Sequence, residues 1–211
     1  MNHQNLDDKP VVFIVDDEEI VRVSLQRFLA SYGYETKAFA SAIEFLEHPP
    51  HNGVGCLILD LQMPNMSGIE LQQQLADSGS SIPIVFLTAH GDIPISVKAM
   101  KLGAEDFLPK MPDTDELLEA VERALTRSKS KVKINEDLKH VRQTAANLTP
   151  REREVCECVI SGMLNKQIAS RLEIAERTVK AHRAKVMQKF DVHSVPDLVR
   201  LSEKAGISPI E

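Results

Sequence analysis

An uninterrupted apolar run that ends in one carboxylate does most to restrict what this chain can fold into. Residues 56–59 read CLIL, Asp60 follows, and Pro64 stands four residues later. A run without polar alternation is typical of a strand buried on both faces of a parallel sheet, and proline cannot continue the ladder. Ligand sites of open parallel sheets collect at the carboxyl ends of the strands, so Asp60 lies where a site is expected.

The same pattern recurs along the first half of the chain. Four further strands are predicted over residues 11–15, 34–39, 84–87 and 106–109, and those at 11–15 and 84–87 are continuous apolar runs. Between them the apolar residues repeat with helical spacing, and two helices open with the capping-box pairs Ser41–Glu44 and Ser67–Glu70. Five strands that alternate with five helices predict an α/β fold with a doubly wound parallel sheet.

Reactive side chains follow four of the five predicted strands: Asp16, Asp17, Asp60, Thr88 and Lys110. Because crossovers are right-handed, the ends of strands one, three, four and five can converge on one edge. Three neighbouring carboxylates repel one another, so the cluster needs protonation or a hard cation such as Mg²⁺. With an ammonium and a hydroxyl facing it, Asp60 could act as the nucleophile in phosphoryl transfer and become an aspartyl phosphate.

Each of these residues taken alone also fits an ordinary structural role. Asp16 and Asp17 suit the entry of a helix, where acids interact favourably with the macrodipole, and Asp60 suits a turn before Pro64. Their occurrence together at the expected strand ends favours a functional site over coincidence.

The front half of the chain is acidic and the back half is basic. Residues 1–126 hold 20 Asp and Glu against 8 Lys and Arg, and residues 127–211 hold 11 against 17. The asymmetry predicts two domains, of which the basic one is a candidate for binding nucleic acid. No apolar stretch approaches the roughly 20 residues of a membrane span, so we expect a cytoplasmic protein. The three cysteines indicate ordinary thiols and no zinc site.

A polar stretch over residues 127–146 is predicted to be a linker. Ile134, Leu138 and Val141 keep helical spacing there, so part of the linker is expected to be a helix with a narrow apolar stripe. The stripe either pairs with a partner or lies on the neighbouring domain.

A second domain begins at the sequence LTPRERE of residues 148–154. Thr149 suits an N-cap, Pro150 suits the first helical position and Glu152 completes a capping box. A short helix is predicted at LNKQIASRL, residues 164–172, and three residues separate it from a basic helix. This order is the pattern of a helix-turn-helix.

The basic helix mixes cations with small side chains. They are Arg177, Lys180, Ala181, Arg183, Ala184 and Lys185. Such a face can enter a major groove, where the long side chains reach base edges and the small ones permit close approach. A solvated basic face has the same composition, but the two preceding helices favour the DNA-reading interpretation.

Four segments of the first half together resemble the receiver domain of two-component response regulators: VDDE at 15–18, LDLQMPNMSG at 59–68, TAHGD at 88–92 and FLPK at 107–110. The resemblance covers about residues 10–126. It implies a flavodoxin-like (βα)₅ fold with strand order 2-1-3-4-5, in which Asp60 accepts a phosphoryl group from a sensor histidine kinase.

The resemblance also implies a role for each residue of the acidic edge. The Mg²⁺ ligands that it implies are Asp17, Asp60, the backbone carbonyl of Gln62 and, through water, Asp16. The phosphoryl-binding and switch residues that it implies are Thr88, Lys110 and the aromatic Phe107, which turns inward when Thr88 moves.

Two positions of the receiver segment leave alternatives open. Receivers usually have proline directly after the lysine, often with a cis bond, whereas Met111 follows Lys110 here and Pro112 comes next. The Lys110–Met111 bond is therefore either trans, with a locally different loop, or cis at a cost of about 3 kcal/mol. His90 either tunes the lifetime of the phosphoryl group or is a solvent-facing loop histidine.

The second half, about residues 147–204, resembles the LuxR-type helix-turn-helix of the NarL/FixJ class through LTPRERE, NKQIA and RTVKAHR. It implies an all-α domain of four helices. Base-edge contacts are expected from Lys180, Ala181 and Ala184. Phosphate contacts are expected from Asn165, Lys166, Thr178, Arg183 and Lys185. The last helix, residues 194–204, resembles the one that pairs two DNA-bound copies.

Two residues depart from this second pattern. Ala175 stands where relatives often have a capping Ser or Thr, and Glu173 stands where Gly or Asn is common. The lost cap costs about 1 kcal/mol, so the basic helix is expected to begin loosely without DNA.

The sequence thus predicts a phosphorylation-controlled transcription regulator rather than an enzyme, and the resemblance to the FixJ branch favours an activator. The expected parts are a disordered N-terminus (1–9), a receiver (10–126), a linker (127–146) and a DNA-binding domain (147–211). The expected partners are a sensor histidine kinase, promoter DNA, RNA polymerase and, after phosphorylation, a second copy.

Two alternatives from other classes use the same residues. An aspartyl-phosphate phosphohydrolase also needs the nucleophile and Mg²⁺, but usually places a second acid two residues after the nucleophile, where this chain has Gln62. An interaction-only receiver whose basic domain binds protein would lack the steep salt dependence of DNA binding.

Overall fold

The computed structural model describes residues 9–89 and 93–210. They divide into two compact units, with the division between Lys133 and Ile134. The N-terminus predicted to be disordered lies outside the described residues apart from Lys9, and His90 lies outside them too. Within the described ranges, no helix has both the length and the apolar character needed to cross a membrane.

The first unit is built on a five-stranded parallel sheet with helices between the strands. The strands are β1 (Val11–Val15), β2 (Glu35–Phe39), β3 (Gly55–Asp60), β4 (Ile84–Thr88) and β5 (Asp106–Pro109). The helices before the last strand are α1 (Glu19–Ser31), α2 (Ala42–Glu47), α3 (Gly68–Asp77) and α4 (Ile93–Lys101). The strand order β2-β1-β3-β4-β5 confirms the doubly wound, flavodoxin-like fold predicted from the sequence.

Side chains of alternate residues in the central strands pack into two apolar cores, one on each face of the sheet. Phe13, Leu57 and Phe86 belong to one core, and Ile14 and Ile58 belong to the other. Every residue of β1, β3 and β4 is buried. Burial on both faces explains why these strands have continuous apolar runs in the sequence.

The two predicted capping boxes have different outcomes. Ser67 and Glu70 form a complete box at the start of α3. Ser41 caps α2 by accepting from the Glu44 N–H, but the Glu44 carboxylate accepts from the Ala40 N–H at 2.7 Å instead of from Ser41. The Ser41–Glu44 box is therefore incomplete, because the Glu44 carboxylate accepts from the N–H one residue before the N-cap.

A long helix, α5 (Thr114–Ala146), follows β5 and spans 33 residues. Its first part packs on the sheet through Leu117, Val121 and Leu125. Further along, the buried Ser128 hydroxyl accepts from the Gly55 N–H at 3.0 Å. The whole of the predicted linker, residues 127–146, is helical.

The second unit contains four further helices, as the resemblance implied. They are α6 (Pro150–Ile160), α7 (Asn165–Arg171), α8 (Glu176–Lys189) and α9 (Val195–Lys204). One core joins them, with Val155, Ile168, Val179 and Leu198 at its centre. The three cysteines are buried free thiols, two of them in α6, which agrees with the prediction of ordinary core residues.

Candidate functional site

The sheet register brings the predicted acidic edge together. Val15 of β1 lies beside Leu59 of β3, so Asp16 and Asp60, the next residues of the two strands, lie side by side. Thr88 of β4 pairs with Pro109 of β5, which places Lys110 just beyond the end of the sheet. Four separate strands therefore deliver their terminal side chains to one edge.

The carboxylates of this edge are close together and mostly buried. Asp16 is 1% exposed and Asp60 is 3% exposed, whereas Asp17 is exposed. One carboxylate oxygen from each of the three lies within 4.8 Å of the others. Burial raises the pKa of both Asp16 and Asp60 above its usual value, and the neighbouring Asp16 charge raises that of Asp60 further. Lys110 only partly offsets these effects.

Lys110 provides the positive charge of the site. Its Nζ lies 3.0 Å from Asp60 Oδ2, 3.1 Å from Asp16 Oδ2 and 2.6 Å from Glu18 Oε1. Burial alone would lower the pKa of Lys110, but the hydrogen bond to Glu18 and the nearby negative charges of Asp60 and Asp16 outweigh this effect and raise the pKa. The lysine is therefore charged and shared among three acids.

The two buried carboxylates retain incompletely satisfied oxygens. Asp16 Oδ2 and Asp60 Oδ2 make no geometrically aligned hydrogen bond, so their approach to Lys110 is an ion pair only. The other Asp16 oxygen accepts from the Glu18 N–H at 2.8 Å. Clustered hard oxygens with free lone pairs suit Mg²⁺, so the residues present fit the implied cation. Gln62 is exposed beside them, and its N–H lies 3.4 Å from Asp60 Oδ1.

Two residues at this edge were not predicted as site residues. Glu18 forms the shortest contact to Lys110, and its position in the acidic run DDEE was the available signal. Gly68, at the start of α3, has no room for a side chain because a Cβ atom would collide with the Asp60 backbone carbonyl oxygen. The serine-glycine pair at 67–68 was the signal for this second residue, since glycine permits close backbone approach.

The predicted switch residues lie on neighbouring strands. Thr88 is 5% exposed at the end of β4. Phe107 in β5 is half-buried, and its ring centroid lies 6.1 Å from that of Phe86. The Lys110 N–H donates to the Thr88 carbonyl at 2.7 Å, which anchors the start of the next loop. The Lys110–Met111 bond is trans, and Met111 is 95% exposed.

The second unit presents the predicted DNA-contact residues on α7 and α8. Lys166, Lys180, Ala181, Ala184 and Lys185 are exposed, whereas Asn165, Thr178 and Arg183 are half-buried. Arg183 donates to Asn165 Oδ1 at 3.1 Å, and Lys180 Nζ lies 3.7 Å from Glu176. Two residues expected to contact phosphate, Asn165 and Arg183, are thus paired with each other across the two helices.

The start of α8 lacks a side-chain cap, as expected from Ala175. Ala175 is the N-cap and provides no side-chain hydrogen bond. Glu173, in the turn before it, has a φ of 54°, a left-handed conformation that disfavours side chains other than Gly, Asn and Asp. Leu164, the N-cap of α7, is 69% exposed and lacks a capping acceptor as well, although Gln167 accepts from its N–H at 2.7 Å.

Two protein-family models match the chain. The model described as the response regulator receiver domain matches residues 12–122. The model described as bacterial regulatory proteins of the luxR family matches residues 146–202. The first match lies within the sheet-containing unit and the second within the helical unit, and residues 123–145 of α5 lie between the two matches.

Similar proteins match along nearly their whole length. The transcriptional regulatory protein FixJ of Rhizobium meliloti (strain 1021) is 42% identical over 198 residues, covering 94% of this chain and 97% of that protein. The response regulator protein TmoT of Ectopseudomonas mendocina is 42% identical over 202 residues, covering 96% and 91%.

Solved structures agree with these matches. The response regulator StyR superposes with a TM-score of 0.83 at 49% identity, covering 93% of this chain and 100% of that one. Full-length FixJ from B. japonicum superposes with a TM-score of 0.56 at 38% identity, covering 93% and 97%. Both similarities include the receiver and the C-terminal helices.

Proposed function

The chain belongs to the two-component response regulators that join a receiver domain to a LuxR-type DNA-binding domain, and on this premise we propose that phosphorylation of Asp60 switches on DNA binding. The observation that carries the proposal is the position of Asp60, which is 3% exposed at the end of β3 with Lys110 Nζ 3.0 Å away. The functional parts are the receiver (10–126), the linker (127–146) and the DNA-binding domain (147–211).

Phosphoryl transfer at Asp60 begins from a phosphohistidine of a sensor kinase. A carboxylate oxygen of Asp60 attacks the phosphorus, the phosphorus–nitrogen bond breaks, and its electron pair leaves with the imidazole. Lys110 neutralises charge on the phosphoryl oxygens, and the Thr88 hydroxyl donates to one of them. When bound, Mg²⁺ adds positive charge beside these oxygens. The residues that would hold it are Asp16, Asp17, Asp60 and the Gln62 carbonyl.

The contacts of Lys110 suggest how the new charge changes the receiver. In the unphosphorylated site the ammonium is shared by Asp16, Glu18 and Asp60. A phosphoryl group on Asp60 competes for that ammonium and draws Thr88 towards it. Phe107 then turns into the space that Thr88 leaves, which shifts the population towards the active conformation.

The active conformation dimerises through the α4 and α5 face of the receiver. Two copies then present two α8 helices to half-sites about one helical turn apart. Lys180, Ala181 and Ala184 face the base edges, since small side chains permit the close approach that base reading needs. The remaining contacts, to phosphates, are made by Asn165, Lys166, Thr178, Arg183 and Lys185. Arg183 exchanges its bond to Asn165 for a phosphate.

The protein acts as a cytoplasmic regulator that contacts RNA polymerase and activates transcription, and it is not an enzyme. The position two residues after Asp60 holds Gln62, which cannot serve as a general acid or base. Only slow self-dephosphorylation is expected from such a site.

The test is a pull-down of genomic DNA fragments by the full chain, with and without acetyl phosphate plus Mg²⁺. Wild type should enrich fragments only with the phosphodonor, whereas Asp60→Asn should enrich none under either condition. Asp77→Asn, an exposed carboxylate at the end of α3, is the matched control and should behave as wild type. Enrichment that ignores both the phosphodonor and Asp60 would refute the switch.

A further inference from the structure

An apolar stripe with alternating spacings of four and three residues lies on the part of α5 that belongs to the second unit. It consists of Ile134, Leu138, Val141 and Ala145, and we refer to it as the α5 stripe. This spacing is the a/d repeat of a two-stranded coiled coil, with Leu138 and Ala145 at a and Ile134 and Val141 at d. All four side chains therefore lie along one face of the helix.

The two ends of the α5 stripe differ in burial. Ala145 is 3% exposed in the core of the second unit, and Val141 packs against that core. Ile134 is 57% exposed, and Leu138 is only half-buried and belongs to none of the apolar cores of the described residues. The N-terminal half of the stripe is thus open to a partner.

Two opposite charges flank the α5 stripe on either side of Leu138 and Val141. Asp137 occupies the g position and Arg142 the e position of the same repeat. In the part of the chain that the structure describes, neither residue takes part in a side-chain hydrogen bond or an ion pair. The charges that flank the seam are therefore available to another helix.

We propose that a second copy of this chain pairs in parallel along the α5 stripe, with Asp137 of each copy opposite Arg142 of the other. In a parallel pair, a g residue faces the e residue five positions further along the partner, and 137 and 142 have this separation. Because the pair of helices has twofold symmetry, the Asp137–Arg142 ion pair forms twice, once on each side of the seam. An antiparallel pair would place g against g and e against e, so the charges select the parallel orientation.

The stripe is too short to hold two copies together alone. A stable coiled coil usually needs three or four heptads, whereas the open half covers fewer than two. The inference therefore rests on the proposed phosphorylation-dependent dimerisation, which brings the two α5 helices to a high effective concentration. The stripe then adds affinity and fixes the parallel register of the linker.

Charge reversal in the full chain tests the pairing. With acetyl phosphate and Mg²⁺ present, Asp137→Arg or Arg142→Asp alone should weaken dimerisation about tenfold, because each puts like charges in contact twice. The double variant Asp137→Arg/Arg142→Asp should return to within about twofold of wild type. An equimolar mixture of the two single variants should form mixed dimers in preference to either homodimer, as measured by sedimentation and native mass spectrometry.

Matched controls on the same helix separate pairing from net charge. Glu136→Arg and Lys139→Asp change charge by the same amounts at the f and b positions, away from the seam, and should dimerise as wild type. Ile134→Cys should cross-link two phosphorylated copies under mild oxidation, whereas Glu136→Cys should not. The native cysteines are buried and do not interfere.

The outcomes distinguish the inference from the proposed function. If phosphorylated wild type stays monomeric at concentrations that saturate DNA, the proposed dimerisation fails and the inference fails with it. If dimers form but the reversals, the double variant and the controls all dimerise alike, only the inference is overturned. Preferred mixed dimers together with the Ile134→Cys cross-link would establish parallel pairing.

Discussion

Each unit of the molecule buries carboxylates, but with opposite consequences. In the receiver, Asp16 and Asp60 keep oxygens without aligned partners, and burial raises the pKa of both. In the DNA-binding unit, the Lys189 ammonium 2.7 Å from Glu152 and the Thr149 N–H lower the pKa of Glu152 to about 2. A buried acid with complete partners stabilises its fold, whereas one with incomplete partners keeps a place for a ligand.

The candidate phosphoacceptor site and the candidate DNA-binding face differ in how firmly the fold holds their residues in place. The candidate phosphoacceptor site is assembled from four strand ends, with Asp16 and Asp60 buried. The proposed DNA-binding face lies on α7 and α8, and the first turn of α8 has no side-chain cap. Chemistry at an acyl phosphate needs fixed geometry, whereas a groove-reading helix can complete its order on DNA.

The largest expected effect comes from adding one methyl group beside Asp60, in the receiver. Gly68→Ala should destabilise the receiver by about 3 kcal/mol, because the new Cβ collides with the Asp60 carbonyl oxygen inside a packed region. Hydrogen exchange of the full chain should show faster opening of β3 and no change in α6, since the two units report separately.

Gly79→Ala is the matched control for that collision. Gly79 has a φ of 78° but no atom within 4 Å of an added Cβ, so only backbone strain of about 1 kcal/mol is expected. Equal losses in the two variants would contradict the steric role of Gly68.

The partners of Glu152 make the stability of the DNA-binding unit depend on pH. Because the pKa of Glu152 is lower in the folded state than its ordinary 4.5, its contribution is fully present above about pH 4.5. The contribution is lost as the pH falls towards about 2. Glu152→Gln should cost about 2 kcal/mol at pH 7 and remove this part of the acid dependence, as followed by hydrogen exchange of α6.

Glu154→Gln is the comparison variant on the same helix. Glu154 pairs with Arg151 at 2.6 Å, but the side chain is 47% exposed, so loss of the pair should change stability by less than about 0.5 kcal/mol. If the two substitutions lowered stability equally, burial would not strengthen the Glu152 interactions.

The smallest expected effect concerns the uncapped start of α8. Ala175→Ser should stabilise this helix by about 1 kcal/mol, because a serine hydroxyl can accept from an unpaired N–H of the first turn. Slower exchange of the α8 amides without DNA is the expected result. Ala181→Ser, in the middle of the same helix, should instead be neutral or cost about 0.5 kcal/mol. A stabilising effect at both positions would argue against capping.

Most of the fold could be predicted because its signals are local. The strands β1, β3 and β4 have continuous apolar runs, and the Thr149 and Ser67 caps mark helix starts with several residues each. The acidic edge followed from the same signals, since right-handed crossovers bring the ends of parallel strands together. A list of strand ends was therefore sufficient to find Asp60 and Lys110.

The features that sequence reasoning missed depend on contacts between distant residues. Glu18 acquires its role only because Lys110, 92 residues later, reaches it. Gly68 matters through its approach to the Asp60 backbone, which no periodicity reveals. The continuity of α5 through residues 127–146 was predicted only in part, because most of its exposed face is polar and an apolar repeat is a weak signal there.

The most direct test of the central claim is the affinity of the full chain for one recovered DNA fragment, measured before and after phosphorylation. Wild type should gain at least about tenfold in affinity with acetyl phosphate and Mg²⁺, since dimerisation joins two α8 helices on one fragment. Asp60→Asn should gain nothing. Equal gains in the two proteins, or no gain in wild type, would contradict control of DNA binding by the charge at Asp60.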